Sequence, residues 1–228
     1  PGRSTTSALI SMVADWVKNH ENNEHTGVLL WDLSAAFDTL DVNILCEKLK
    51  YYGAGERTTE LIRSFLTDRR QQVRVGEALS KIETTSTGCP QGSLLSPLLF
   101  VIYVADMDLW IRSGKVHSYA DDTASSVCST SMDTVIQELE SNGNLLLRFM
   151  SSNELVANPS KTGLLLIRAR GSSQARRSVW LDGTTIEESE SHKVLGMTIN
   201  GRLTWSDHIY EKGGLLTSLN QKLGAIRR

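Results

Sequence analysis

The sequence predicts an α+β fold centred on an antiparallel sheet of split β-α-β-β-α-β order, with helices on one face. Three observations predict this sheet: a short apolar run at 27–33, a tight hairpin pattern at 115–128 and a further strand pattern at 163–168, with helical patterns between them. The first strand and the central hairpin lie side by side in such a sheet. Asp32 can therefore meet Asp121 and Asp122, although they are far apart along the chain.

The first half of the chain predicts three helices, a buried strand and a hairpin. Ser4-Thr5-Thr6 offers N-cap oxygens to the first helix, and Asp41 can cap the second. The run Gly27–Leu33 is typical of a strand buried on both faces. The first helical pattern covers residues 4–20 and ends at a polar segment. The second covers 41–53 and ends at a glycine, and the third covers 58–66. The hairpin pairs residues 71–75 with 81–85.

The second half predicts a loop, a buried helix, the central hairpin and further elements. Gly88–Ser93 is a loop by its glycine and proline content. Ser93 or Ser96, with Pro97, is expected to open an apolar helix that runs through Trp110. The central hairpin turns at 120–122. The remaining expected elements are a helix at 132–150, strands at 163–168, 179–181 and 193–199, a turn at 182–183 and a final helix from about 205.

The composition is that of an ordinary globular chain. Its 228 residues are 40% hydrophobic and 22% charged, which argues against a disordered or fibrous protein, and we expect one continuous unit. The formal net charge of −2 gives no support to a nucleic-acid partner, because such domains usually carry a basic surplus. Carboxylates clustered at a metal site would lower that total, while basic residues gather at 69–70 and 168–177. Net charge therefore does not decide the partner.

Cysteine and histidine usage predicts neither disulfides nor a zinc site. Cys46, Cys89 and Cys128 are far apart, and the histidines show no ligand spacing. The most apolar stretch, 94–105, is too short to span a bilayer. We expect an intracellular, reducing environment and no membrane partner.

The candidate metal ligands are Asp32, Asp121 and Asp122. Mg²⁺ prefers carboxylate, water and phosphate oxygens, and two such ions about 3.5–4 Å apart stabilise the attacking and leaving oxygens of phosphoryl transfer. Alone, Asp121 and Asp122 would more often be turn residues. A charge at the end of an apolar strand, together with a Pro-Gln-Gly loop before a buried helix, favours a metal site.

Three segments, in this order, resemble the core motifs of reverse transcriptases, with the closest likeness to non-LTR retrotransposons and a relation to group II intron and telomerase enzymes. They are Trp31–Asp38, Gly88–Pro97 and Tyr119–Asp122, within a similarity that extends from Gly2 to about His208. The resemblance implies a right-hand polymerase palm with a ferredoxin-like sheet. The implied boundaries are a partial fingers helix at 1–25, a palm at 26–190 with a finger hairpin at about 70–87, and a primer grip with the truncated start of a thumb at 191–228.

The family resemblance implies an RNA-directed DNA polymerase that adds deoxynucleotides to a primer 3′-OH with two Mg²⁺ ions, for which Mn²⁺ can substitute. Its implied partners are an RNA template, a DNA or RNA primer and dNTPs, in a nuclear or cytoplasmic ribonucleoprotein. Two alternatives stay open: a catalytically incompetent relative that binds RNA, and another two-metal palm nucleotidyltransferase. The basic finger residues that hold the triphosphate in this family are expected upstream of Pro1.

Position by position, the resemblance assigns metal binding to Asp32 and Asp121, with Asp122 beside them and the Leu33 carbonyl as a further oxygen. It assigns Lys161 the role of general acid toward pyrophosphate. Most exposed lysines are simply solvated, so this role competes with an ordinary surface position.

The same carry-over assigns nucleotide contacts to four residues. Phe37, with Ala36 beside it, corresponds to the gate that excludes a 2′-hydroxyl, although a core aromatic is the competing interpretation. Gln91 and Gly92 correspond to the loop beside the nucleotide and template, where glycine permits close backbone approach, and a plain helix-entry loop is the alternative. Leu195 and Gly196 correspond to the primer grip.

Overall fold

The protein, described by a computed structural model over residues 4–33, 36–120, 122–158 and 161–210, folds into two compact units. The first unit comprises Pro1–Asp32, Ile111–Leu146 and Asn158–Arg228, and the second comprises Leu33–Trp110 and Leu147–Ala157. The expectation of one continuous unit was wrong. Helices of the second unit contact one another, and the chain passes between the two units more than once.

Helices and strands are interspersed along the chain. In order they are α1 (Thr5–Glu21), β1 (His25–Asp32), α2 (Ala36–Thr39), α3 (Val42–Tyr51), α4 (Glu56–Leu66), β2 (Arg69–Gln71), β3 (Arg74–Val75), β4 (Ala78–Leu79), β5 (Glu83–Thr85), α5 (Ser96–Val104), a 3₁₀ turn (Met107–Trp110), β6 (Lys115–Tyr119), β7 (Asp122–Ser129), α6 (Met132–Ser152), β8 (Gly163–Ile167), β9 (Ser178–Leu181), β10 (Thr184–Glu187), β11 (Ser191–Val194), β12 (Met197–Asn200) and α7 (Ser206–Tyr210).

A four-stranded antiparallel sheet forms the centre of the first unit. Its strands follow the order β6-β7-β1-β8, so the first strand lies between one arm of the central hairpin and β8. The register of β1 on β7 runs from His25 opposite Ser129 to Asp32 opposite Asp122. The predicted side-by-side placement of the first strand and the hairpin is therefore confirmed.

Helices cover both faces of this sheet. Val28 and Leu30 belong to a buried cluster with Trp16 of α1. The alternate residue Gly27 points the other way, where an added Cβ would lie 2.5 Å from Leu139 Cδ1 of α6. The prediction that β1 is buried on both faces is confirmed, and the prediction that helices cover one face was wrong. A strand made mostly of apolar residues needs apolar cover on each side.

Two of the predicted helix caps are confirmed. The Ser4 hydroxyl accepts a hydrogen bond from the Ser7 amide at 3.2 Å, and the Ser7 hydroxyl accepts one from the Ser4 amide at 2.7 Å. In the second unit, an Asp41 carboxylate oxygen accepts hydrogen bonds from the amides of Asn43 and Ile44, each at 2.8 Å. Both caps satisfy amides that the first turn of a helix leaves without intrahelical partners.

A half-buried lysine connects α3 to α5 within the second unit. Lys48 Nζ lies 2.6 Å from both Asp106 Oδ1 and the Tyr103 carbonyl oxygen. Burial lowers the pKa of Lys48, and the hydrogen bond and charge of Asp106 oppose that shift. Burial also raises the pKa of Tyr103 to about 12, so its hydroxyl stays protonated and donates to the Asn153 carbonyl at 2.6 Å.

The apolar helix of the second unit is shorter than predicted. It ends at Val104, and a separate 3₁₀ turn reaches Trp110. Neither predicted serine caps it: the Ser96 hydroxyl donates to the Pro90 carbonyl at 2.7 Å, and Ser93 Oγ accepts from the Leu95 amide at 3.1 Å. Neither glycine nor proline occurs between Val104 and Trp110, so the sequence gives no strong local signal for where the helix stops.

Two strand predictions were also wrong in detail. The hairpin at 69–85 is interrupted, because β2 pairs with β5 whereas β3 pairs with β4. The single strand expected at 193–199 is a hairpin of β11 and β12, which turns at Leu195 with φ 48° and Gly196 with φ 85°.

The turn predicted at Asp182 and Gly183 is confirmed between β9 and β10, with both φ angles positive. The final helix is seen as α7, and its expected continuation lies beyond residue 210, outside the described residues.

No helix in the described part of the chain is long and apolar enough to cross a membrane. The three cysteines are free thiols, with Cys46 and Cys89 buried and Cys128 exposed.

Candidate carboxylate site

The end of the central strand pair brings two predicted metal ligands to the same row of the sheet. Asp32 pairs with Asp122, and Asp122 pairs with Tyr119 on its other side. Residues directly opposite each other in an antiparallel pair point to the same face, with Cβ atoms about 4.5–5.5 Å apart. The two carboxylates therefore converge where the apolar part of the sheet ends. Asp121, the other predicted principal ligand, lies outside the described residues.

The segment that begins at Asn158 comes to this end of β1. The Asn158 amide donates to the Asp32 carbonyl oxygen at 3.4 Å, and Lys161 Nζ lies 3.8 Å from Asp32 Oδ2. The Asp32 and Lys161 side chains are 45% and 58% exposed, so solvent screens this ion pair. The structure thus brings Lys161, a predicted site residue, to within ion-pair distance of the carboxylate row.

The donor set fits a hard divalent cation. Two carboxylates placed opposite each other repel, and this repulsion destabilises a sheet unless a cation offsets it. Lys161 supplies one positive charge near Asp32, and solvent reaches both groups. Carboxylate oxygens are the ligands that Mg²⁺ prefers. Among the residues that the structure describes, no group of three or more acidic, histidine or cysteine ligands assembles, and the third predicted carboxylate, Asp121, is not among them.

In the second unit, the loop at 88–93 is fastened to the segment that carries Phe37. The Gly88 amide donates to the Leu40 carbonyl at 2.8 Å, and the Cys89 amide donates to the Phe37 carbonyl at 2.6 Å. Gly88 has φ +71°, and a Cβ there would lie 2.6 Å from the Asp38 carbonyl oxygen. Only glycine fits this position. The sequence interpretation singled out Gly92 and overlooked Gly88, because the close approach comes from a distant segment.

An arginine at the start of β2 holds the same loop. The Arg69 guanidinium donates to the carbonyl oxygens of Thr87 and Gly88, the latter at 3.0 Å. Arg69 was not predicted as a functional residue. In the sequence, Arg69 is one of two adjacent arginines, and nothing there indicates that it binds backbone carbonyls rather than a phosphate.

The predicted nucleotide contacts occupy this part of the second unit. Gln91 is exposed, and its Nε2 lies 3.4 Å from Asp38 Oδ1. Gly92 has φ +82° and open space around it. The half-buried Phe37 ring packs on the Phe100 ring with centroids 4.8 Å apart, which gives the core-aromatic interpretation a definite contact. Ala36 is buried beside it.

The remaining predicted residues lie at backbone features. Leu33 is buried and forms an isolated antiparallel bridge with Ala157 in the second unit. In the first unit, Leu195 and Gly196 form the turn of the β11–β12 hairpin, and the Leu195 side chain packs against the buried cluster that includes Trp16.

Comparison with known proteins adds a family assignment. A family model described as reverse transcriptase (RNA-dependent DNA polymerase) matches residues 1–199. Similar curated proteins include the probable RNA-directed DNA polymerase from transposon BS of Drosophila melanogaster, 27% identical over 221 residues that cover 91% of this chain and 24% of that protein. The RNA-directed DNA polymerase from mobile element jockey of the same species is 28% identical over 196 residues, 83% of this chain and 21% of that protein. The chain thus spans about a quarter of the length of these relatives.

Solved structures with a similar fold include telomerases. Apo telomerase from Candida tropicalis, truncated from its C-terminal domain, aligns with a TM-score of 0.57 and 17% identity over 86% of this chain and 39% of that one. Telomerase from Candida albicans, in complex with a fragment of telomeric RNA, aligns with a TM-score of 0.55 and 16% identity over 90% of this chain and 34% of that one. At such low sequence identity, the structural similarity shows a shared mixed helix and sheet fold.

Proposed function

Because the chain belongs to the reverse transcriptase (RNA-dependent DNA polymerase) family, we propose that it is the core of an RNA-directed DNA polymerase that adds deoxynucleotides to a primer 3′-OH. The observation that carries this proposal is the pairing of Asp32 with Asp122 at the end of the central strands. The longer relatives named as RNA-directed DNA polymerases support it.

The first unit supports assignment of a polymerase palm. Its strand order, β6-β7-β1-β8, is that of a ferredoxin-like sheet when the strands are numbered along the chain. Under this proposal the segment 1–25, which contains α1, and the hairpin at about 70–87 belong to the fingers, and residues 191–228 begin the thumb. The turn at Leu195 and Gly196 then serves as the primer grip.

The carboxylates would hold two divalent ions, Mg²⁺ or in its place Mn²⁺. Asp32 and Asp122 supply oxygens from the same row of the sheet, Asp121 follows from the sequence, and the Leu33 carbonyl is a further candidate oxygen. The chemistry that bound ions supply is activation of the primer hydroxyl and neutralisation of charge on the departing pyrophosphate. Lys161 provides an ammonium 3.8 Å from Asp32 Oδ2, and its role is to donate a proton to pyrophosphate.

The proposed partners are an RNA template, a primer and dNTPs, within a nuclear or cytoplasmic ribonucleoprotein. Gln91 and Gly92 would contact the nucleotide and template, a role that the exposed amide of Gln91 and the open space at Gly92 permit. Phe37 with Ala36 would exclude the 2′-hydroxyl.

The proposed function predicts Mg²⁺-dependent extension of a primer on an RNA template. We expect labelled dNTPs to be incorporated into the primer on an RNA template. Incorporation is measured on RNA and DNA templates of the same sequence, which distinguishes the proposed function from its two alternatives. Extension on DNA alone would replace the proposal with a DNA-templated polymerase. RNA binding without extension on either template, in a chain that also fails to bind Mn²⁺, would favour the non-catalytic RNA-binding alternative.

The gate proposed for Phe37 predicts that Phe37→Val admits ribonucleotides. Loss of the ring removes the group that would collide with a 2′-hydroxyl, so the preference for dNTP over rNTP should fall by roughly 10- to 100-fold. Single-nucleotide incorporation measures it. Phe37→Tyr keeps the ring and its packing on Phe100, and it should keep the preference. Unchanged discrimination in Phe37→Val would leave Phe37 as a core aromatic only.

A further inference from the structure

A row of polar contacts lies behind the carboxylate row, on the opposite face of the sheet. Trp31 pairs with Thr123, and Thr123 pairs with Ser118, one residue back from the row of Asp32 and Asp122. Because side chains alternate along a strand, the Trp31 row points away from the carboxylates. Trp31 and Thr123 are buried.

Two side-chain hydrogen bonds connect the three strands at this level. Trp31 Nε1 donates to Ser125 Oγ at 3.0 Å, in a buried bond between β1 and β7. Thr123 Oγ1 donates to Ser118 Oγ at 3.2 Å, between β7 and β6. The strand pair thus carries a specific side-chain tie directly next to its acidic end.

The rest of β7 gives little protection against a slip of two residues. Such a slip keeps every side chain on its own face, so hydrophobic patterning does not oppose it. The strand carries mostly small side chains over Thr123–Ser129, and no large side chain marks the native register. A two-residue slip would move Asp32 about 7 Å along β7 relative to Asp122. In the slip that brings Ala124 opposite Asp32, Val127 would take the place of Ser125 and leave the indole N–H without an acceptor.

We infer that Trp31 and Ser125 are positioning residues, whose buried hydrogen bond fixes the register that places Asp32 opposite Asp122 and so sets the affinity of the site for divalent cations. The Thr123–Ser118 bond holds the hairpin arm in the same way. The inference rests on the proposed function, because it assigns these residues to the carboxylate site. Neither residue contacts the metal in this scheme, and each acts through the strands that carry the ligands.

The test compares divalent-cation binding with stability in the full chain. Mn²⁺ binding is measured by the loss of the free-ion electron paramagnetic resonance signal, without nucleic acid, and thermal unfolding is measured in the same samples. Trp31→Phe removes the N–H and keeps an aromatic ring. We expect its apparent Kd for Mn²⁺ to rise about tenfold, the lower end of the effect of removing groups that support metal ligands. Ser125→Ala, which breaks the same bond with a smaller change in volume, should give the same shift.

A double variant and a matched control separate positioning from stability. Trp31→Phe with Ser125→Ala leaves neither partner unsatisfied, so Tm should recover relative to the single variants while the Kd for Mn²⁺ stays raised. Trp16→Phe alters another buried tryptophan of the same unit, whose Nε1 has no partner among the described residues. It should lower Tm and leave the Kd unchanged.

The outcomes distinguish this inference from the proposed function. If wild type binds Mn²⁺ and Trp31→Phe binds it equally well, the positioning role is overturned and the metal site stands. A Kd that recovers together with Tm in the double variant also overturns the inference, because a merely structural bond would behave that way. If the wild-type chain binds no Mn²⁺, the metal site of the proposed function is overturned, and the inference falls with it.

Discussion

Asp32→Asn is expected to reduce primer extension by roughly 10²–10³-fold, the loss typical when one group that stabilises transition-state charge is removed. The amide keeps the shape of the carboxylate but loses the negative charge that would hold the cation. Since Asp32 faces Asp122 in the strand register, the substitution also relieves repulsion between carboxylates. The fold should therefore be retained, and Asp121→Asn should give a loss of the same order.

Metal-dependent stabilisation provides the second readout for Asp32→Asn. A cation that binds the folded chain raises its Tm, and the rise grows with concentration above Kd. We expect Mg²⁺ to stabilise wild type more than Asp32→Asn in thermal unfolding. Asp182→Asn is the matched control, because Asp182 lies in the turn of another hairpin, at a positive φ that asparagine tolerates. Full activity in Asp32→Asn would remove Asp32 from the catalytic site.

Glu188→Leu is expected to destabilise the protein by about 3–5 kcal/mol, the cost of removing one partner from a buried ion pair. Arg168 and Glu188 form a two-pronged pair in the first unit, in which Arg168 Nη2 lies 2.7 Å from Glu188 Oε2. Their side chains are only 10% and 11% exposed. Without Glu188 the guanidinium charge stays buried and uncompensated. The expected fall in Tm is about 10 °C for a chain of this size.

The same pair organises the loop that follows β8. Arg168 Nη2 also donates to the Ala175 carbonyl at 2.8 Å, and the Arg177 amide donates to Glu188 Oε2 at 3.2 Å. Nearby, the pKa of His25 is lowered, mainly by burial and to a smaller extent by the charge of Arg168. The neutral ring accepts a hydrogen bond at Nδ1 from the Ala169 amide at 3.0 Å. Loss of Glu188 should therefore loosen the loop as well as the pair.

Two variants test whether the buried charge is the cause. Arg168→Met combined with Glu188→Leu removes both charges, and its stability should return most of the way to that of wild type. Glu190→Leu breaks an exposed pair with Arg176, whose side chains are 86% and 72% exposed, and we expect it to change stability little. Denaturant unfolding measures all three. Equal losses for Glu188→Leu and Glu190→Leu would show that burial does not govern the effect.

The main fold and the pairing of Asp32 with Asp122 could be predicted from the sequence because both depend on short-range signals. Ser4 and Asp41 cap their helices as expected, since capping requires only a side-chain oxygen and the next three amides. The apolar run that ends in Asp32 and the hairpin that leads into Asp122 are also local patterns, and topology rules then place them as neighbours.

Other features of the fold were not predictable because distant residues decide them. Leu195 adopts a positive φ and turns a presumed strand into a hairpin, while its side chain packs on the first unit's core. Apart from glycine, residues rarely adopt that conformation, so no pattern in the sequence indicates it. The sequence likewise did not indicate the end of α5 at Val104, since neither glycine nor proline follows it before the 3₁₀ turn.

The sequence by itself determined most of the helices and central strands, and the strand ends that carry Asp32 and Asp122, because periodicity, capping and turn chemistry act within a few residues. Tertiary structure alone decided that helices cover both faces of the sheet, that Gly88 fits against Asp38, and that Trp31 bonds to Ser125. The physical reason is that close approach, burial of charge and side-chain hydrogen bonds depend on atoms brought together from distant parts of the chain, and residue spacing does not record those distances.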